Sequence, residues 1–391
     1  MLAFLLGAAA AAQQPAVSPA IRALHERLLV LDTHLDTPVN LGRPGWNFAQ
    51  RHSFTDDISQ IDLPRMKEGG LDGGFFVIYT QQGPLTAEGY AAAKAHAWRR
   101  EAWIRAMVRQ LPNEMELAFT PDDARRIAAK GKRAVFQSIE NSYPLGPTVA
   151  TMKDFYDVGV RLAGPVHNGD NQFADATKGG KRTWGGLSSL GREWVKEANR
   201  LGILVDLSHS SDETVDQVLE LSKAPVILSH SGPRALYDSP RNLDDARIKK
   251  IAAKGGVIQV NSVFLAPMDD RPERDKLSGQ WESLEDASPR EAREAGQAWA
   301  RLEATKTANP VTFDRFMESL LYVLKLVGPD HVGIGMDWDG GGGLIGMNDI
   351  SGLPRITAAL KKAGYSDADV AKIWSGNLLR ALGEAQRLAT K

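Results

Sequence analysis

The sequence predicts an α/β protein built as a closed (β/α)8 barrel, the TIM barrel architecture, with a helical insertion between strands 7 and 8. Short apolar segments typical of strands recur with helical patterns between them, which indicates a parallel sheet. Eight such segments can be counted, which favours a closed barrel over an open sheet. Doubly wound open sheets commonly carry a glycine-rich phosphate loop after the first strand, and this sequence has none there.

Each predicted strand is a short apolar run, and most of these runs end in polar residues. The eight predicted strands cover residues 28–36, 70–80, 134–141, 160–167, 203–210, 225–231, 256–262 and 331–339. The clearest helical patterns between them cover residues 87–110, 189–201, 212–222 and 243–254. The chain of 391 residues is long for one ordinary domain but within the range of a barrel with insertions.

The segment 264–306 differs from the rest because it is dense in charged residues, as in RPERDK and WESLEDASPREAREAG. We interpret it as a solvated helical insertion. A lid over the barrel mouth and a subunit contact are the alternatives that the sequence leaves open.

The first twenty residues predict a secretory signal peptide, because an apolar run is followed by alanines and a polar, proline-containing stretch. The run is too short to span a bilayer. We therefore expect an exported protein, periplasmic or secreted, whose residues 21–391 form one barrel domain. The last residues, GEAQRLATK, are charged, and we expect no stable membrane anchor.

The composition, with 43% hydrophobic and 24% charged residues, is that of a globular enzyme. A net charge of −1 gives no reason to expect nucleic acid as a partner. The absence of cysteine excludes disulfides, thiolate nucleophiles and thiolate metal ligands. Any zinc site must therefore use histidines and carboxylates.

Residues that can bind metals fall at the carboxyl ends of the predicted strands, where barrel enzymes form their active sites. His34 and Asp36 lie two apart at the end of strand 1 and project to the same face. Glu140 ends strand 3, and a carboxylate can bridge two cations. His209 and His230 each occur in a Ser-His-Ser motif at the ends of two successive strands. Matched positions of this kind are hard to explain as ordinary core histidines.

Strand 8 ends in GMDWDG, where Asp337 can face these groups across the barrel. A carboxylate placed there could take a proton from a metal-bound water and pass it to a leaving group. The whole pattern predicts a binuclear metal centre with His34, Asp36, Glu140, His209 and His230 as ligands.

The chain resembles the membrane dipeptidase family, a renal dipeptidase-like branch of the amidohydrolase superfamily (peptidase family M19). The stretches that carry the resemblance are LDTHLDTP, FQSIENS, GPVHNGDNQFAD, LVDLSHSS, VILSHSGP, RNLDD and GIGMDWDG, in the family's order. The resemblance implies two zinc ions per subunit. His34 and Asp36 would hold one, His209 and His230 the other, and Glu140 would bridge both.

The resemblance also implies a catalytic set of Glu140, Asp337 and His167. Asp337 would bind the bridging water and shuttle its proton, and His167 would contact the substrate and stabilise the tetrahedral intermediate. Arg241 would pair with the substrate's terminal carboxylate. The implied reaction is hydrolysis of dipeptides by a metal-bridged hydroxide, including dipeptides with a C-terminal D-residue. The family also suggests a homodimer.

Two alternatives remain at this point. Another amidohydrolase-superfamily enzyme, such as a lactonase or a related amidase, would commonly show His-x-His on strand 1 and a lysine on strand 4. This sequence has His-x-Asp, and strand 4 (VRLAGPVH) has no lysine. A non-catalytic metal-binding barrel predicts the loss of at least one ligand or of Asp337, and none is lost.

Overall fold

The barrel is described by a computed structural model that covers residues 16–178, 182–269, 271–281 and 283–390. Most of the predicted signal peptide therefore lies outside the described residues. The first described helix begins at Pro19. None of the described helices combines the length and the apolar character that a membrane span requires.

All eight predicted strand segments contain a strand. The strands are β1 Leu31–Leu35, β2 Gly73–Tyr79, β3 Met115–Leu117, β4 Arg133–Glu140, β5 Val160–Ala163, β6 Leu204–Asp206, β7 Val226–Ser231, β8 Val257–Val260 and β9 Val332–Ile334. The additional strand β3 was not predicted. It pairs only with the start of β4 and lies outside the barrel path.

The other eight strands are parallel and follow one another around the barrel in chain order. The barrel closes between its first and last strands through a parallel bridge between Leu35 and Trp338. At this seam the backbone N–H of Asp36 donates to the carbonyl oxygen of Trp338 at 2.9 Å. The predicted (β/α)8 barrel is confirmed, and the seam brings the residues that follow β1 and β9 together.

The helices lie between and around the strands. They are α1 Pro19–His25, α2 Pro38–Leu41, α3 Phe54–Asp57, α4 Leu63–Gly69, α5 Ala87–Gln110, α6 Pro121–Ala128, α7 Thr151–Asp157, α8 Ser189–Leu201, α9 Asp212–Leu221, α10 Asp245–Ala253, α11 Pro272–Trp281, α12 Pro289–Thr305, α13 Phe313–Val327, α14 Pro354–Lys362, α15 Asp367–Ala371 and α16 Asn377–Arg387. Short 3₁₀ turns occupy Tyr143–Leu145, Leu284–Asp286, Pro329–His331 and Ile350–Gly352, and a π turn occupies Lys372–Gly376. The four predicted helices are confirmed as α5, α8, α9 and α10.

N-cap side chains explain why these four helices begin where they do. Thr86, Ser188, Ser211 and Asp244 each accept a hydrogen bond from a backbone N–H of the first turn of their helix. Such a cap satisfies a donor that has no partner within the helix, and it is worth about 1 kcal/mol. Local side-chain hydrogen bonds therefore determine where these helices begin, in addition to packing.

The core extends through the barrel and beneath its helices. At the amino-terminal end of the strands, Phe75 stacks on Phe136 with ring centroids 4.9 Å apart. Leu378 and Leu382 of α16 belong to the same buried cluster. Apolar side chains thus pack this end of the barrel.

The predicted insertion between strands 7 and 8 of the barrel is helical in its described part and contributes α11 and α12. Trp281 and Trp299 meet edge to face at 5.7 Å, and the Arg43 guanidinium lies 4.3 Å from the Trp281 ring. Both tryptophans line the cavity at the barrel mouth. The insertion therefore has a solvated outer face and an aromatic inner face that forms part of the cavity wall.

Candidate active site

A cavity of about 860 Å³ opens at the carboxyl ends of the barrel strands. Six of the predicted site residues line it, namely Asp36, Glu140, His167, His209, His230 and Asp337. His34 and Arg241 are buried behind this surface and contact residues that line it. The parallel strand order produces this convergence, since every strand delivers its last residues to the same end.

Glu140 lies at the centre of the predicted ligands. Its Oε1 is 3.0 Å from His209 Nε2 and 3.4 Å from His230 Nε2. Its Oε2 is 3.6 Å from His34 Nε2, which in turn is 3.3 Å from Asp36 Oδ2. The two oxygens of one carboxylate thus face two different groups of ligands, as a bridging role requires.

The structure brings all five predicted ligands together. Three overlapping triads have ligand atoms within 4.8 Å of one another: His34–Glu140–His230, Glu140–His167–His209 and His34–Asp36–Asp337. Because the triads overlap, the division of the ligands between two individual ions stays a prediction.

The donor set fits divalent metal ions. Among the described residues, the buried His34 Nε2 has no hydrogen-bond partner, and His209 Nε2 and His230 Nε2 lie only 2.9 Å apart. Burial lowers the pKa of His209 and of His230 well below its ordinary value, helped by the charge of Arg241, which keeps both imidazoles neutral. Neutral imidazole and ionised carboxylate are the ligand forms that zinc binds.

The charges around the site favour a cation. Burial disfavours the protonated form of His34, but the negative charges of Glu140 and Asp36 have the larger effect. They raise the pKa of that imidazole well above its ordinary value. Burial likewise opposes charge on Glu140, but His34 and His167 hold its pKa well below the usual range. A positive charge between these carboxylates is therefore stabilised, which a bound metal ion would provide.

A buried hydrogen-bond chain orients His230. Ser229 Oγ donates to Asp206 Oδ2 and lies 2.8 Å from His230 Nδ1. Because the hydroxyl hydrogen is directed to Asp206, its oxygen accepts from the Nδ1–H of His230. The lone pair of this imidazole then resides on Nε2, the nitrogen that faces Glu140. The sequence-based reasoning missed this role of Asp206 and Ser229, although Ser229 belongs to the second Ser-His-Ser motif and Asp206 lies two residues before the first.

Two site residues adopt left-handed backbone conformations that L side chains rarely take. His209 has φ 66° and Asp337 has φ 62°. Each costs about 1 kcal/mol or more. Backbone hydrogen bonds hold both, from Thr177 N to His209 O at 2.8 Å and from Gly342 N to Asp337 O at 2.7 Å. Strain of this kind is typical of functional positions.

Asp337 is buried and shares a triad with His34 and Asp36. Burial raises its pKa well above the ordinary value; the charge of His34 opposes this shift, and Asp36 and Glu140 add to it. The carboxyl group therefore has an environment in which it binds a proton readily, as a proton shuttle must.

Asp32, which precedes His34 on β1, serves as a structural anchor. Its carboxylate accepts from the backbone N–H of His34 at 2.9 Å and of Met336 at 3.1 Å. Asp339 plays a similar part, since it accepts from Thr37 Oγ1 at 2.8 Å and from Gln60 N at 2.7 Å. Both carboxylates hold the segments that carry the ligands.

His167 follows β5 and is partly exposed at the cavity wall. Its Nε2 is 3.9 Å from Glu140 Oε1, and its ring meets Tyr79 edge to face at 4.8 Å. Burial lowers its pKa, so the ring is neutral near pH 7 and can donate one hydrogen bond. His167 thus lies beside the predicted ligands, and its contact with the substrate stays a prediction.

Arg241 lies fully buried beside the metal-ligand cluster. Its Nη2 donates to the carbonyl oxygen of His230 at 3.3 Å, and its Nε has no partner among the described residues. Burial lowers its pKa to about 10, so it remains cationic at neutral pH. Its guanidinium lies 5.2 Å from the ring of Phe264, which lines the cavity.

Gly340 is a site residue whose role could not be inferred from the glycine run alone. A Cβ at this position would overlap Asp36 Oδ2 and Asp337 Oδ1. Gly340→Ala should therefore displace both carboxylates and lower kcat/KM for a dipeptide about 100-fold, the cost of misplacing catalytic groups by about 1 Å. Steady-state kinetics measures this loss.

The matched control is Gly279→Ala, because a Cβ there meets no heavy atom of the described residues outside its own helical turn within 4 Å. We expect that variant to retain wild-type kinetics. Wild-type activity in Gly340→Ala would contradict the close approach of the two carboxylates.

Known proteins share this arrangement of fold and sequence. The family model described as "Membrane dipeptidase (Peptidase family M19)" matches residues 19–391. A dipeptidase of Schizosaccharomyces pombe is 28% identical over 363 residues, which cover 90% of this chain and 79% of that protein.

Two solved structures are similar along nearly their whole length. The probable dipeptidase PvdM of Pseudomonas aeruginosa is 33% identical with a TM-score of 0.81, covering 95% of this chain and 98% of that one. A metallopeptidase of Rhodobacter sphaeroides, liganded with a phosphinate mimic of L-Ala-D-Ala, is 26% identical with a TM-score of 0.73, covering 92% of this chain and 99% of that one.

Proposed function

The chain belongs to the membrane dipeptidase family, peptidase family M19, and from this premise we propose that it is a zinc enzyme with two ions per subunit. It is a metallo-dipeptidase that acts on dipeptides. The observation that carries the proposal is the position of Glu140, whose two oxygens face His34 on one side and His209 and His230 on the other. That arrangement suits one carboxylate shared by two ions.

The donor set supports zinc. Three imidazoles and two carboxylates without any thiolate form a set that zinc accepts readily. Zinc held by these residues would supply a Lewis acid for the scissile carbonyl and lower the pKa of water at the site towards neutrality.

The protein's own groups then have distinct tasks in the proposed mechanism. Asp337 takes the proton of the attacking water and delivers it to the leaving amine. His167 donates a hydrogen bond to the oxygen of the tetrahedral intermediate, where charge develops. Arg241 forms a charge-assisted contact with the terminal carboxylate of the substrate. Recognition of that carboxylate favours short peptides with a free C-terminus.

We also propose that dipeptides with a C-terminal D-residue are substrates. The Rhodobacter sphaeroides relative was crystallised with a mimic of such a dipeptide, L-Ala-D-Ala. The cavity of about 860 Å³ is larger than a dipeptide of two small residues needs.

A substrate panel with metal removal and restoration tests the proposal. Wild-type enzyme should hydrolyse L-Ala-L-Ala and L-Ala-D-Ala, lose activity after chelation and regain it with two equivalents of zinc. A lactone and a phosphotriester serve as comparison substrates. Turnover of these without turnover of any dipeptide would refute the proposal, as would full activity of the chelated protein.

The proposal includes an exported enzyme whose signal peptide lies within residues 1–20. The sequence pattern of that segment supports export. A homodimer is the assembly that we propose by family resemblance. N-terminal sequencing of the periplasmic or secreted fraction and light scattering of the purified enzyme test the two points separately.

A further inference from the structure

Lys178 is a cation at the cavity that the mechanism does not use. It lines the cavity, and its ammonium lies 5.4 Å from the ring of Phe264. The Arg241 guanidinium lies 5.2 Å from the same ring. Burial lowers the pKa of Lys178, and the charge of Arg241 lowers it further. Two cations therefore share one aromatic side chain at one side of the cavity.

The other cations that line the cavity are engaged. Lys306 Nζ is 2.7 Å from Asp269 Oδ1, and Arg100 donates to His96 Nε2 at 3.0 Å. For Lys178, no carboxylate of the described residues lies within ion-pair distance, and the side chain is only partly buried. The ammonium of Lys178 therefore adds positive charge beside Phe264, and this charge attracts an anionic group of a ligand.

We propose that Lys178 selects dipeptides whose C-terminal residue carries an acidic side chain, an aspartate or a glutamate. This inference rests on the proposed function, in which Arg241 binds the terminal carboxylate. The second carboxylate of such a substrate lies a few bonds from the first and meets the ammonium of Lys178. Two cations beside Phe264 thereby match the two negative charges of one acidic residue.

Space supports this assignment. Phe264, which lies beside Lys178, also lines the cavity, and the volume of about 860 Å³ accommodates a glutamate side chain beside the peptide. Glu303, a cavity-lining carboxylate of the insertion, already pairs with Arg274. An acidic side chain that extends towards Lys178 therefore meets a cation that has no internal partner among the described residues.

Binding measurements test the inference independently of turnover. The affinities of L-Ala-L-Glu and its uncharged isostere L-Ala-L-Gln are measured by calorimetry with zinc-loaded Asp337→Asn enzyme, in which the dipeptides persist. The glutamate dipeptide should bind about tenfold more tightly, the effect of one hydrogen bond to a charged group. Adding Lys178→Met should bring the ratio of the two affinities to about one, whereas Lys178→Arg should preserve it.

Lys196→Met is the matched control, because Lys196 is an exposed lysine of α8 that pairs with Glu193. It should leave the ratio unchanged. A ratio that Lys178→Met does not alter overturns the inference. An equal loss for both dipeptides also overturns it, because Lys178 would then bind the terminal carboxylate that all dipeptides share. Failure of wild-type enzyme to hydrolyse L-Ala-L-Ala, with the binding preference intact, would instead refute the proposed function.

Discussion

Replacing Glu140 by glutamine is expected to lower kcat for dipeptide hydrolysis at least about 1,000-fold, because the metal centre supplies several kcal/mol of transition-state stabilisation. Glutamine keeps the size of the side chain but removes the negative charge that faces His34, His209 and His230. The zinc content should fall below two ions per chain. Steady-state kinetics and mass spectrometry of the purified variant measure the two effects.

Glu101→Gln is the control for this substitution. Glu101 is also a buried carboxylate, but it pairs with Arg105 on α5 and is not among the described residues that line the cavity. We expect Glu101→Gln to keep both its zinc and its kcat. Full activity in Glu140→Gln, with two zinc ions retained, would contradict the bridging role.

Asp337→Asn is expected to lower kcat about 100-fold to 10,000-fold, the range for loss of a general acid–base group. Unlike Glu140→Gln, this variant should keep two zinc ions and a nearly unchanged KM. The physical reason is that the amide of the substituted asparagine cannot accept the proton of the attacking water. Kinetics with L-Ala-L-Ala and metal analysis of the same sample test this prediction.

The zinc content of Asp337→Asn distinguishes two roles for Asp337, proton shuttle and metal ligand. The carboxylate lies in one triad with His34 and Asp36, so a role as a ligand is the alternative that the geometry allows. If Asp337→Asn loses both one zinc ion and its activity, Asp337 is a metal ligand, which contradicts its role as the proton shuttle. Wild-type kcat would contradict both.

The fold was predictable because its strands carry strong local signals. Most barrel strands belong to apolar runs that turn polar towards the carboxyl end, as β4 does between Ala134 and Glu140. The short strand β3 was missed because Met115–Leu117 is too brief to show a periodic pattern. The helical insertion was predicted, but its aromatic inner face was not, since the charged residues around Trp281 and Trp299 suggested exposure.

The convergence of the predicted ligands was also predictable, because strand position decides which residues meet at the barrel mouth. Features that depend on contacts between distant segments could not be predicted from the sequence. Asp206 acts on His230 through Ser229, and Gly340 matters because Asp36 and Asp337 approach it closely. Lys178 joins the cavity through a loop, and no local pattern indicates its proximity to Arg241.

Anomalous diffraction at the zinc absorption edge tests the central claim most directly. Crystals of the zinc-loaded enzyme should show two peaks, each about 2.0–2.2 Å from a different oxygen of Glu140. His34 and Asp36 should bind one ion, and His209 and His230 the other. A single ion, or a second ion that does not contact Glu140, would contradict the binuclear centre from which the proposed mechanism follows.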